Sequence, residues 1–208
     1  MKSTLSSMLR GAALLGLFAV LGGGLLSGAY LGTRDRIADN QRKALQEQLG
    51  ELLTTVEYDN DPSLDPIAVP DLQPGKTTTA YRAFLGDEAA AVLIDTITPR
   101  GYGGDIRLLI GIRANGTITG VRVLTHRETP GLGDKIDLRR SDWISSFNGR
   151  ALGHPPVADW AVRKDGGVFD QFTGATITPR AVVHQVRDSL DYFHNHQAKL
   201  FAKSPDNA

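Results

Sequence analysis

Residues 11–33 carry no charge: GAALLGLFAVLGGGLLSGAYLGT is rich in Leu, Ala and Gly and runs for about 23 residues. Roughly 20 apolar residues cross a bilayer as a helix, so this run constrains the chain more than any other feature. A buried core helix accounts for it poorly, because no face is polar and Gly22-Gly23-Gly24 weakens a helix in water. A cleaved secretory signal is the other account, with Ser27-Gly28-Ala29 as a small-residue cleavage site. The apolar core of such signals spans about 7–15 residues, whereas this run is longer and has no polar break before Ala29. We therefore read it as a retained membrane helix. Charge does not orient it, since Lys2 and Arg10 on one side face Arg34 and Arg36 on the other.

The charges balance at 23 basic and 23 acidic residues. Setting aside Lys2 and Arg10 leaves a slightly acidic remainder, with no basic excess to displace counterions from a polyanion. A general nucleic-acid binder is excluded on that ground. The chain has no Cys, which excludes disulfide scaffolds, thiolate zinc sites, Fe–S ligation and thiol catalysis by its own residues.

After the anchor, Ile37, Ala44, Leu45, Leu49 and Leu52 recur at near-helical spacing among charges and predict an amphipathic stem over about 33–54. Pro62, Pro66, Pro70 and Pro74 then predict a spacer. Beyond it the period changes to two. Strands are predicted over 79–85, 89–96, 105–113 and 117–125, the third alternating Ile106, Leu108, Ile110 and Ile112 on one face. Asn115-Gly116 predicts a tight turn with positive φ at both residues, giving an antiparallel meander with one buried face. Ser141 is positioned to cap a short helix carrying Trp143 and Phe147, stopped by Gly149. A strand over 160–162 and a final helix over about 179–200 complete one α+β domain. The predicted division is an N-terminal transmembrane anchor over 1–33, a helical stem and Pro-rich linker over 34–75, and a single antiparallel-sheet domain with flanking helices over 76–208.

The chemically informative stretch is KDGGVFDQFTGATITPR, residues 164–180. Thr178 reads as the N-cap of the last helix and Pro179 as its first residue, with Val182, Val183, Val186, Leu190 and Phe193 as the buried stripe. Residues 173–176 then lie just ahead of a positive dipole end. Free backbone N–H groups beside the small Gly174 and Ala175 suit a phosphate, though a plain capped helix with a tight turn fits the same residues. His126 and Glu128 share a side if their strand continues, but two ligands are too few for a metal and a solvated face is the reading. His194 and His196 do not face each other on a helix and read as surface residues.

Asp170-x-x-Thr173-Gly174-Ala175-Thr176 resembles the flavinylation motif of the FMN-binding domain family, in which a threonine hydroxyl is joined to FMN by a phosphoester. The blocks Gly101-Tyr102-Gly103-Gly104, Glu128-Thr129-Pro130-Gly131-Leu132-Gly133-Asp134-Lys135 and Lys164-Asp165-Gly166-Gly167 resemble, in order, the G subunit of Rnf electron-transport complexes. The resemblance runs from the anchor to the final helix. One departure is Gln171, where the motif often has Gly.

The resemblance implies that Thr176 is the acceptor of one covalent FMN per chain, and that Asp170, Thr173, Gly174 and Ala175 are what a separate Mg-dependent flavin transferase recognises. It makes Thr129, Leu132 and Gly133 isoalloxazine contacts, and Lys164 a neutralising partner of the phosphodiester. Tyr102 either stacks on the ring or packs. Thr178 is a competing hydroxyl that its cap role would occupy. The implied protein is an electron-carrying subunit of a membrane-bound, ion-translocating complex, not a stand-alone enzyme. It passes electrons between ferredoxin and NAD or another acceptor, with its domain on the periplasmic side of a bacterial inner membrane. The C subunit of the sodium-pumping NADH:quinone reductase shares the motif and is the close rival. A flavin-free interaction module anchored in the membrane is the rival from another class, and a soluble secreted protein is a third option.

Overall fold

The computed structural model describes residues 2–70, 72 and 78–202. Pro74 and the expected boundary at 75/76 lie outside these residues. The chain divides into two units, residues 1–45 and 46–208. The first is helical and belongs to α1 (Lys2–Leu53), whose side chains from 10 to 44 are all exposed. This helix is long and apolar enough to cross a membrane. Where the sequence suggested an anchor followed by a separate stem, α1 runs on as one helix. No proline interrupts residues 2–53, so the i to i−4 backbone bonds continue through the glycines.

The second unit is built on a five-stranded antiparallel sheet in simple meander order. Its strands are β1 (Pro66–Val69), β2 (Thr78–Leu85), β3 (Glu88–Thr98), β4 (Ile106–Arg113) and β5 (Ile118–Thr125). The Pro-rich stretch expected as a mere spacer supplies β1, because an edge strand tolerates Pro at its first position. Pro62 likewise opens a 3-10 turn, Pro62–Leu64, capped by the Asp61 side chain. The β4–β5 connection also departs from expectation. Among the described residues none but glycine has positive φ, so Asn115 stays on the negative side and its Oδ1 accepts the Thr117 N–H at 3.0 Å. Within this loop it is Gly116, at φ 85°, that takes the left-handed conformation. Arg113 and Thr117 close a three-residue loop, the turn-plus-glycine-bulge form of a hairpin.

Ile106, Leu108, Ile110 and Ile112 face the main core as their alternation predicts. The opposite face, expected to be solvated, is covered as well. Leu93 and Leu109 there are fully buried, as are Leu49, Leu52 and Leu53 at the end of α1. Leu52 lies over Gly111 and Gly120, and Glu51 pairs with Arg122 of β5 at 3.2 Å. The last turns of α1 are thus part of the sheet unit.

The main core is completed by α2 (Ile177–Leu200) and by 3-10 segments between β5 and α2. Ser141 caps Asp142–Phe147 by accepting the Trp143 N–H, as the sequence indicates, although the segment winds as 3-10. The strand expected over 160–162 is not formed. Trp160 closes a 3-10 turn, Val157–Asp159, and Val162 makes a single bridge to Phe169. The stripe Val182, Val183, Val186, Leu190 and Phe193 is buried on α2 as predicted.

His184 on α2 is half-buried, and burial pushes its imidazole below the usual range, helped by Arg187 and Arg100 and opposed by Asp188. The unfolded chain therefore binds that proton more readily than the fold. Stability from this group is complete above the ordinary value of 6.5 and is lost as pH falls through the lower folded value. The urea midpoint of the detergent-solubilised chain is expected to drop between pH 7.5 and 5.5. His184→Gln should flatten that part of the drop, and an unchanged slope would refute the assignment.

Candidate functional site

Three loops converge on the start of α2. The first, residues 101–104, joins β3 to β4; the second follows β5 and leads into the 3-10 turn Gly133–Ile136; the third is the run 170–176 ahead of the helix. They enclose a cavity of about 320 Å³ lined by Tyr102, by Glu128, Thr129, Leu132 and Gly133, and by residues 174–178. That size lies at the lower end of small-ligand pockets, roughly 300–1,000 Å³. Leu132, Ile177 and Tyr102 keep much of their apolar surface exposed. They offer apolar walls to a flat group.

Gly133 is required by close approach: a Cβ there would lie 2.8 Å from Thr178 Oγ1 and 3.0 Å from Glu128 Cβ. Gly174 is required by its φ of 81°, which turns the chain into the helix beneath Leu132.

The helix start differs from the expected one. Thr176, not Thr178, is the N-cap, and its side chain makes no capping hydrogen bond. Pro179 is the third helical residue. The first N–H groups of a helix lack intrahelical partners, so proline is tolerated there too. Thr178 is fully buried and its hydroxyl donates to Glu128 Oε2. Glu128, expected on a solvated strand end, is buried as well. β5 stops at Thr125, and Glu128 Oε1 accepts the Gly103 N–H at 2.9 Å.

Of the residues singled out in the sequence, Tyr102, Thr129, Leu132, Gly133, Gly174, Ala175 and Thr176 line this cavity. Asp170, Thr173 and Lys164 are exposed and do not. The Asp170 side chain pairs with Arg163 at 2.7 Å, while its carbonyl accepts the Trp143 indole N–H at 2.8 Å. Lys164 donates its backbone N–H to Gln171. Its neighbour Asp165 makes the electrostatic link to the helix, a two-pronged pair with Arg180 at 2.5 and 2.8 Å that holds the carboxyl below the usual range. Glu128, Ile177 and Thr178 complete the lining without having been read as site residues. Among the described residues no group of three or more His, Asp or Glu is placed to hold a metal ion.

Chemically, the cavity joins an apolar slot to the N-terminus of a 24-residue helix, where an unengaged hydroxyl and free N–H groups meet. Helix N-termini of this kind seat phosphate. A flat ligand bearing a phosphate fits both halves.

Residues 101–191 match the family described as FMN-binding domain, and residues 1–52 match the RnfG N-terminal region. Strands β4 and β5, the cavity and the helix start thus lie within an FMN-binding domain that follows an N-terminal apolar helix in the sequence. The chain is 49% identical over 203 residues to the G subunit of the ion-translocating oxidoreductase complex of Pseudomonas aeruginosa, covering 96% of this chain and 95% of that protein. It is 44% identical over 198 residues to the G subunit of the Vibrio cholerae complex, covering 94% and 95%. The G subunit of the Cereibacter sphaeroides complex is 46% identical over 200 residues, covering 96% and 90%. The chain belongs to this family, the G subunits of ion-translocating oxidoreductase complexes.

Proposed function

We propose that this chain is a single-pass membrane electron-transfer subunit of an Rnf-type ion-translocating oxidoreductase complex, carrying one FMN as a phosphodiester on Thr176. The observation that carries the linkage is the unengaged N-cap hydroxyl of Thr176 on the wall of a cavity at a helix N-terminus. The residues present fit the cofactor. Helix N–H groups and the dipole favour the single negative charge of a phosphodiester, and Leu132, Ile177 and Tyr102 border a slot for the flavin ring. FMN supplies the redox chemistry when bound. The chain's own residues seat the phosphate, orient the ring and limit water around it.

The ester requires a donor. In the reading we favour, a separate flavin transferase presents FAD, Thr176 Oγ attacks the flavin-side phosphorus, the pyrophosphate bond breaks, AMP leaves and the hydroxyl proton is released. Exposed Asp170 and Thr173 lie outside the cavity, where a transferase could read them. We assign residues 1–33 to the anchor, 34–75 to a stem and linker that lends its last helical turns and β1 to the sheet, and 76–208 to the flavin domain on the periplasmic side. The match of residues 1–52 to the RnfG N-terminal region favours this over a C-type subunit of the sodium-pumping quinone reductase.

Intact mass of the full chain co-expressed with a flavin transferase tests cofactor and linkage together. The expected increment is one FMN less one water. An unmodified mass in the presence of active transferase would leave a flavin-free interaction module. Cleavage of the domain by protease added to intact spheroplasts, but not to inverted vesicles, is the result expected for the periplasmic placement.

A further inference from the structure

We propose that Glu128 is a fixed negative charge in the wall of the flavin cavity and that this charge holds the reduction potential of the bound cofactor low. The proposal rests on reading the cavity as the FMN seat. Only 5% of Glu128 is exposed, although it lies in a loop whose neighbours Arg127, Thr129 and Pro130 are all exposed. Both carboxylate oxygens accept hydrogen bonds, Oε1 from the Gly103 N–H at 2.9 Å and Oε2 from the Thr178 hydroxyl. That is the pattern an ionised carboxylate makes.

No cation pairs with it among the described residues. Arg139 pairs with Asp137 at 2.6 Å, Arg140 with Asp134 at 3.6 Å and Arg180 with Asp165, while Arg127, the preceding residue, is exposed and makes no ion pair with the carboxylate. His126 turns Nδ1 to the Glu128 backbone N–H instead of to its carboxylate. The charge is therefore compensated by dipoles alone: one amide, one hydroxyl and the N-terminal end of α2. Dipoles stabilise a buried carboxylate without cancelling its field in the cavity. Adding electrons to a ring beside it places like charges together in a poorly screened site, which disfavours the reduced cofactor.

The same residue positions the site. Its two acceptors tie the loop that carries Tyr102 to the start of α2, and Gly133 lies against its Cβ. Charge and clamp are separable. Glu128→Gln keeps an oxygen for Gly103 and an amide facing the Thr178 hydroxyl, but removes the charge. Glu128→Asp keeps the charge on a shorter arm.

The test uses the full chain in detergent, co-expressed with a flavin transferase, with potentials read by spectroelectrochemistry. In-gel flavin fluorescence comes first, because a wild-type band without covalent flavin means that the reading of the cavity has failed, not this inference alone. In flavinylated protein, Glu128→Gln is expected to shift the midpoint potential positive, raising the ratio of reduced to oxidised cofactor by about tenfold or more at a fixed ambient potential. Glu128→Asp is expected to stay close to wild type. An unshifted or more negative Gln variant overturns the proposal, as does an equal shift in both variants, which would make the effect one of geometry. Glu128→Ala supplies a second neutral variant for the same measurement should the Gln variant not take up flavin.

Discussion

Thr176→Val is expected to eliminate flavin fluorescence from the denatured full-length band, and Thr178→Val to retain it. Valine is nearly isosteric with threonine, so each change removes little but a hydroxyl. At 176 that hydroxyl makes no capping bond and faces the cavity. At 178 it is buried and donates to Glu128 Oε2, out of reach of an incoming phosphorus. Thr173 is exposed but outside the lining, so it offers no substitute acceptor with the same seat. Thr178→Val carries a different penalty. It leaves one oxygen of a buried carboxylate without its donor, a cost of about 1–3 kcal/mol that lowers the urea midpoint while the flavin stays attached. Fluorescence lost in the 178 variant and kept in the 176 variant would refute the site.

The contrast between those two threonines shows what the sequence could and could not disclose. Both suit an N-cap, and Pro179 points to the later one because proline favours the first helical position. Proline is nearly as well accommodated two residues further in, so it does not fix the start. The strands are legible because apolar residues alternate along them, as in Ile106, Leu108, Ile110 and Ile112. Residues 160–162 have strand-like composition but too few neighbours to form a ladder, and they settle between two 3-10 turns with one bridge. Glu128 is illegible for a further reason. Its burial depends on Gly103, 25 residues before it, and Thr178, 50 residues after it, and no local pattern encodes either. The loops that carry Tyr102, Thr129 and Leu132 have no periodicity at all. They stand out through their ordered blocks, which resemble a family, and their convergence on one cavity is a property of the three-dimensional fold.

Phe147→Ala is expected to cost about 3–5 kcal/mol, a large part of the roughly 5–15 kcal/mol that stabilises a typical domain. Phe147 is fully buried where the aromatic side chains of the second unit meet. Its ring stacks on Phe169 at 4.6 Å and on Trp160 at 6.4 Å, and meets Trp143 edge-on at 5.5 Å. Trp143 in turn packs against Phe172 and donates its indole N–H to the Asp170 carbonyl. The aromatic group is therefore the backing of residues 170–172, the beginning of the run that ends at Thr176. Truncating Phe147 removes the ring that touches most of the others, and the relaxed backing no longer holds that run in place. Two effects should appear together: a lower urea midpoint and less flavin attached per chain at equal transferase. Trp143 and Trp160 are the only tryptophans in the chain and both lie in this group, so their fluorescence reports its unfolding directly. Val157→Ala, at a side chain 55% exposed, is the control and should change stability by no more than about 0.5 kcal/mol. If the two variants unfold at the same urea concentration, the aromatic group is not what supports the segment that ends at Thr176.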